Sequence, residues 1–132
     1  MKKIIPFFVL FLALGVAKAQ TAEQTLEWLN VKKAEISEIS ANTVRFGKIE
    51  ITNEHLYAFT DDGATTTIKW INFKDIKSTN YYIQIISNIM YMGKNIYIQL
   101  YIPDNEKKAK YINALKHMAT LKGAKLVDDD LF

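Results

Sequence analysis

Residues 81–102 read YYIQIISNIMYMGKNIYIQLYI, two apolar runs folded about Met92-Gly93-Lys94-Asn95. In the second run Ile96, Ile98, Leu100 and Ile102 fall on one face, and Tyr97, Gln99 and Tyr101 on the other. A period of two in β-branched and aromatic residues marks a strand, because successive side chains of an extended chain point to opposite faces. The stretch predicts a β-hairpin with one apolar face, and such a face needs a cover. The helix-period segment from Asp104 to Lys122 supplies it. There Lys108, Tyr111, Ile112, Leu115, Met118, Ala119 and Lys122 share one side. Asp104 is placed to cap that helix, Glu106 suits its first turn, and Gly123 stands where a left-handed cap is expected.

Working back from the hairpin, TTTIKWINF (Thr65 to Phe73) reads as a strand that Lys74-Asp75-Ile76-Lys77 breaks. Asp61-Asp62-Gly63 is the clearest tight turn, since Asp-Gly readily takes the positive φ that hairpin turns require. Leu56 to Thr60 is a short strand, and Thr43 to Ile51 another, with a bulge or turn at Gly47. Ser37 to Asn42 is polar and reads as a linker. Thr21 to Ile36 predicts an amphipathic helix capped by Thr21. Its stripe of Ala22, Leu26, Leu29 and Lys33 is widened by Trp28 and Val31. Beyond the last helix, Ala124 to Val127 reads as a short extension and Asp128 to Asp130 opens an acidic tail ending Leu131-Phe132. The order of helix, about five strands and helix makes an α+β domain.

The first nineteen residues have a different job. Met1-Lys2-Lys3 is a basic start, Ile4 to Leu14 an apolar run, and Ala17-Lys18-Ala19 the small-x-small pattern that a signal peptidase cuts after. The run is too short to span a bilayer comfortably. The expectation is a signal peptide over 1–19, cleavage between Ala19 and Gln20, and a single α+β domain over 20–132, periplasmic or secreted, with no transmembrane segment remaining. Of 17 basic residues, Lys2, Lys3 and Lys18 leave with the signal, so 14 remain against 14 acidic ones. The net charge of +3 therefore belongs to the signal, and the neutral remainder argues against nucleic acid as a partner. With no cysteine in the chain, disulfides are excluded and stability rests on the core alone.

No residue arrangement specifies a reaction. His55 and His117 are far apart and lack the recurring ligand spacing of a zinc site. Asp61-Asp62-Gly63 lacks the alternating oxygens and distal glutamate of a calcium loop. There is no Gly-x-Ser-x-Gly and no serine in a recognisable setting with histidine. No catalytic, metal or cofactor residues are assigned, although a carboxylate pair leaves no sequence signature. The surface that stands out is the far face of the hairpin. If Ile83 and Ile85 point at the core, Tyr82, Gln84 and Ile86 point away and Tyr97, Gln99 and Tyr101 lie beside them. Tyrosines with amides are apolar in body and polar at the tip, which suits contact with an unknown protein or small molecule. The candidate binding residues are Tyr82, Gln84, Tyr97, Gln99 and Tyr101. Trp28 and Trp70 read as core.

The motifs TLEWLNVK, INFKDIKS, INALKHMATLKG and the tail DDDLF together resemble a group of small exported Bacteroidetes proteins of unknown function. The resemblance covers most of the chain after the signal. It implies a pleckstrin-homology-like fold, a bent antiparallel sheet or partly open barrel closed by the C-terminal helix, and brings no activity or site residues. Phosphoinositide-binding pleckstrin domains cluster Lys and Arg around their first hairpin, whereas here Arg45 and Lys48 stand beside Glu50 and Glu54. The leading expectation is an exported non-catalytic binding or protein-interaction domain. The alternatives are a small envelope hydrolase using carboxylates and a structural, self-assembling subunit.

Overall fold

A computed structural model describes residues 20–41 and 44–127. The signal peptide and the cleavage after Ala19 that the sequence leads one to expect, and the acidic tail from Asp128, lie outside the described residues.

Helix α1 (Ala22–Lys32) begins where Thr21 predicts. The Gln24 amide donates to the Thr21 hydroxyl at 3.1 Å, and the Thr21 amide donates back to Gln24 Oε1 at 3.0 Å. This reciprocal box satisfies two otherwise orphaned donors of the first turn. The helix stops four residues short of Ile36 and tightens into a 3-10 turn over Lys33–Glu35. Leu29 is fully buried, but Val31 is 66% exposed and does not widen the stripe. Two positions beyond Leu29 is about 200° around the helix, which points Val31 outward.

Among the described residues eight strands follow: β1 (Glu38–Ala41), β2 (Val44–Phe46), β3 (Lys48–Ile51), β4 (His55–Phe59), β5 (Thr65–Lys69), β6 (Phe73–Ser78), β7 (Tyr82–Tyr91) and β8 (Lys94–Tyr101). Two of them correct the sequence reading. The polar stretch read as a linker is β1, recruited because it pairs with both β8 and β2 and buries Ile39 and Ala41. Lys74 to Lys77, read as a break, lies within β6, and the real interruption is a 3-10 corner at Trp70–Asn72. The indole explains the corner. Trp70 turns fully inward, donates from Nε1 to Thr52 O at 2.8 Å and packs its ring 4.9 Å from that of Phe73. A straight strand across TTTIKWINF would forgo that burial.

The strands form a five-stranded sheet, β2-β1-β8-β7-β6, and a three-stranded sheet, β3-β4-β5, with every pairing antiparallel. β2 and β3 are one chain segment bent at Gly47, as the sequence suggests, and they carry it from one sheet to the other. Read through that bend, the order is β5-β4-β3/β2-β1-β8-β7-β6, an antiparallel meander left open between β5 and β6. The barrel is not closed. Ile49, Ile51, Leu56, Ile68, Ile83, Ile85, Ile98 and Leu100 fill the space between the sheets.

Helix α2 (Asn105–Leu121) packs against α1, β6 and the Trp70 corner. Its buried residues are Lys108, Tyr111, Ile112, Leu115, Met118 and Ala119, the predicted face, with Lys122 half-buried at its end. The Tyr111 hydroxyl donates to Leu29 O at 2.9 Å, and burial pushes its pKa well above the phenol range. Gly123 takes a φ of +96° at the predicted helix end. α1 in turn guards the outer edge of β3: Asn30 Nδ2 donates to Ile51 O at 3.0 Å and Lys33 Nζ to Ile49 O at 3.3 Å. Side-chain donors on these carbonyls keep that edge from pairing with another chain.

Asp104 caps α2 as expected, accepting from the Lys107 and Glu106 amides at 3.0 and 2.8 Å. Those bonds, the Lys107 amide foremost, hold its carboxyl below the usual carboxylate range. A folded-state pKa below the unfolded one contributes stability that is complete above the unfolded value and lost as pH falls through the folded value. Asp104→Ala is therefore expected to lower Tm near neutral pH. Its gap to the wild type should shrink once the pH drops below about 4. Thermal melts at pH 7 and pH 3 check this; an equal gap at both would remove the cap from the pH response.

Candidate functional site

The hairpin of β7 and β8 builds the candidate face. Its turn is the pair Met92-Gly93, narrower than the four residues the sequence suggests, with φ of +54° and +81°. Positive φ at both central residues is the turn that matches strand twist in a two-residue hairpin. Between Ile86 and Met90 the register shifts by a bulge on β7. Extending the turn's pairing straight down would set Tyr82 opposite Pro103; the bulge moves it to Tyr101.

The five sequence candidates come together in register. Tyr82 stands opposite Tyr101, Gln84 opposite Gln99, and Ile86 opposite Tyr97. All six are half-exposed, while Ile83, Ile85, Ile98 and Leu100 on the other face are fully buried. Neighbouring strands extend the rows, with Lys77 beside Gln84 and Asp75 beside Ile86 on one flank, and Glu38 beside Tyr101 and Ser40 beside Gln99 on the other. Tyr101 gathers two rings, with centroids at 6.0 Å for Tyr81 and 5.7 Å for Tyr82. Ser40 Oγ donates to Gln99 Oε1 at 3.3 Å, and Arg45 pairs with Glu38 at 2.7 Å. The aromatic contacts and the Ser40–Gln99 bond hold side chains in place before any partner arrives, lowering the ordering cost of binding. The principal packing of α1 and α2 is against one another, β3, β6 and the corner rather than on this face.

Asp75 is buried at the edge of these rows, and its Oδ1 has no hydrogen-bond partner among the described residues. A buried acceptor left unpaired costs about 1–3 kcal/mol. Asp75→Val, which suits a strand and removes the acceptor, is expected to raise Tm. A lowered Tm would show that the carboxylate is satisfied in solution.

Other features fit less well with a site. A cavity of about 260 Å³ lies between the helices, lined by Trp28, Tyr111 and charges of both signs, and the Lys107–Glu35 ion pair at 3.1 Å stands in its lining. Among the described residues no three His, Asp or Glu side chains gather into a metal-holding group. His117 Nε2 contacts Gln20 O at 2.9 Å, and His55 lies near Tyr57. Asp62 sits in the β4–β5 turn, where a hydrogen bond from the Thr60 hydroxyl holds its carboxyl below the usual range, which is a turn role. Among the described residues no helix is long and apolar enough to cross a membrane. Sequence reasoning missed the hairpin tip, where Ile89, Met90, Tyr91 and Met92 are all exposed. Four consecutive large apolar residues beside a Gly were the available signal. No protein-family model, curated protein or solved structure matches the chain.

Proposed function

We propose that this chain is an exported, non-catalytic binding or protein-interaction domain with pleckstrin-homology-like architecture, released from a signal peptide ending at Ala19. The meander order left open between β5 and β6, with a C-terminal helix packed on the barrel, supports that architecture. The observation that carries the function is the in-register ladder of Tyr82/Tyr101, Gln84/Gln99 and Ile86/Tyr97, half-exposed and braced by its own contacts. Phosphoinositide recognition is disfavoured on charge, since Arg45 is already paired with Glu38.

Native mass spectrometry of the chain recovered from an exporting cell identifies what it carries. Titrating that species against wild type and the Tyr97→Ser/Tyr101→Ser double variant then tests the face. The expected result is a loss of about tenfold or more in affinity with an unchanged circular dichroism spectrum, because tyrosines dominate contact energy at such surfaces. Equal affinity in a folded double variant would show that binding uses another surface.

A further inference from the structure

Away from the tyrosine face, a cleft of about 790 Å³ opens between β5 and the tip of the β7–β8 hairpin. One wall is Ala64, Thr65, Thr66 and Thr67, four consecutive residues. Side chains of a strand alternate between faces, so four in a row border a single cleft only along the strand's edge. Among the described residues that edge is free: β5 pairs with β4 alone and ends the strand order. The hydrogen-bond phase shows which groups face the cleft. Thr60 N donates to Ala64 O and Trp70 N to Glu54 O, both at 3.0 Å, which bracket the ladder in the same phase. Residues 64, 66, 68 and 70 therefore turn their backbone groups to β4. Thr65 and Thr67 turn theirs outward, where no bond to them is made among the described residues.

The rest of the lining is mostly apolar: Ala41, Val44, Phe46 and Ile96, then Tyr91 and Met92, with Asn95 polar among them. Tyr91 is 69% exposed and Met92 85%. Met92 also holds φ at +54°, a conformation in which Asn or Gly is the ordinary choice for such a turn. An apolar side chain kept at a strained, exposed apex points to a contact that offsets its cost. Among the described residues Lys94 is the one charged residue in the lining, and Lys69 ends the strand. Asp61 and Asp62 are exposed in the turn before Thr65.

We infer that this cleft binds an extended peptide that adds to β5 as an edge strand, with alternate apolar side chains against Phe46 and Ile96 and a carboxylate near Lys94. The free N–H and C=O groups of Thr65 and Thr67 supply the backbone ladder, the cleft supplies the side-chain pockets, and Lys94 supplies the charge preference. This site is separate from the tyrosine face, and each stands or falls alone.

The test is fluorescence anisotropy of the whole mature chain with three labelled, end-capped hexapeptides. These are Thr-Ile-Glu-Ile-Thr-Ile, its Glu-to-Lys counterpart, and the acidic peptide N-methylated at alternate residues. The acidic peptide is expected to bind saturably, about tenfold tighter than the basic one, and the N-methylated form to lose binding. Lys94→Glu should reverse the charge preference. Thr67→Pro, which removes an N–H facing only the free edge, should weaken binding about tenfold or more with the fold intact by circular dichroism. No saturable binding of the acidic peptide, equal binding of its N-methylated form, or unchanged affinity in a folded Thr67→Pro chain would each overturn the inference. If Thr67→Pro does not fold, the N-methylated peptide and Lys94→Glu still decide it.

Discussion

Trp70→Ala is expected to cost about 3–5 kcal/mol of unfolding free energy, a large share of the roughly 5–15 kcal/mol that holds an ordinary domain together. Three losses coincide at this residue. Its side chain is almost wholly buried, so truncation leaves a large cavity in the core. Its Nε1 bond to Thr52 O at 2.8 Å disappears and strands that carbonyl. Its ring also leaves Phe73, 4.9 Å away, which anchors the start of β6. The corner joins the two sheets, so the damage is not confined to one of them. Urea titration followed by circular dichroism measures the effect. A loss below about 1 kcal/mol would mean that the corner is held by its backbone, not by the indole.

Lys108→Glu is expected to be nearly as damaging, on the order of 3 kcal/mol, while Lys108→Met should cost far less. Lys108 lies on the buried face of α2 and its ammonium donates to Thr79 O at 2.6 Å and Asn80 O at 3.3 Å. These carbonyls belong to the turn between β6 and β7, so one side chain ties the helix to the hairpin edge. A carboxylate in that place would face two carbonyl oxygens with no donor between them. Methionine keeps the apolar stem packed, and the exposed residues Thr79 and Asn80 leave water free to take up the lost bonds. The ordering of the two variants in chemical denaturation is the check. If methionine is as costly as glutamate, the two hydrogen bonds outweigh the packing of the stem.

The candidate face was legible because it is a local property. Tyr82 and Gln84 alternate with Ile83 and Ile85, and Tyr97, Gln99 and Tyr101 alternate with Ile98 and Leu100, so any strand here divides them the same way. Which of them meet was not legible. Tyr82 stands opposite Tyr101 only because a bulge beyond Ile86 shifts the register, and the segment Ser87-Asn88-Ile89 has no pattern that announces it. Asn95 Nδ2 donates to Ser87 O at 2.9 Å, a bond that forms only once the two strands are side by side, while the Ile89 amide donates to Ser87 Oγ at 2.9 Å within β7.

By itself the sequence determined the central hairpin, the capped C-terminal helix with its buried face, the bend at Gly47 and the α+β class. Each of these rests on periodicity or on a capping or turn residue acting within one segment. Only the tertiary structure decided that Glu38–Ala41 is a strand, that Trp70 turns a corner, that Lys74 to Lys77 belongs to β6, and that β5 keeps an edge free among the described residues beside a largely apolar cleft. The physical reason is common to all four. Short segments with few apolar residues take their conformation from the backbone partners and buried rings they meet, and those partners lie far away along the chain.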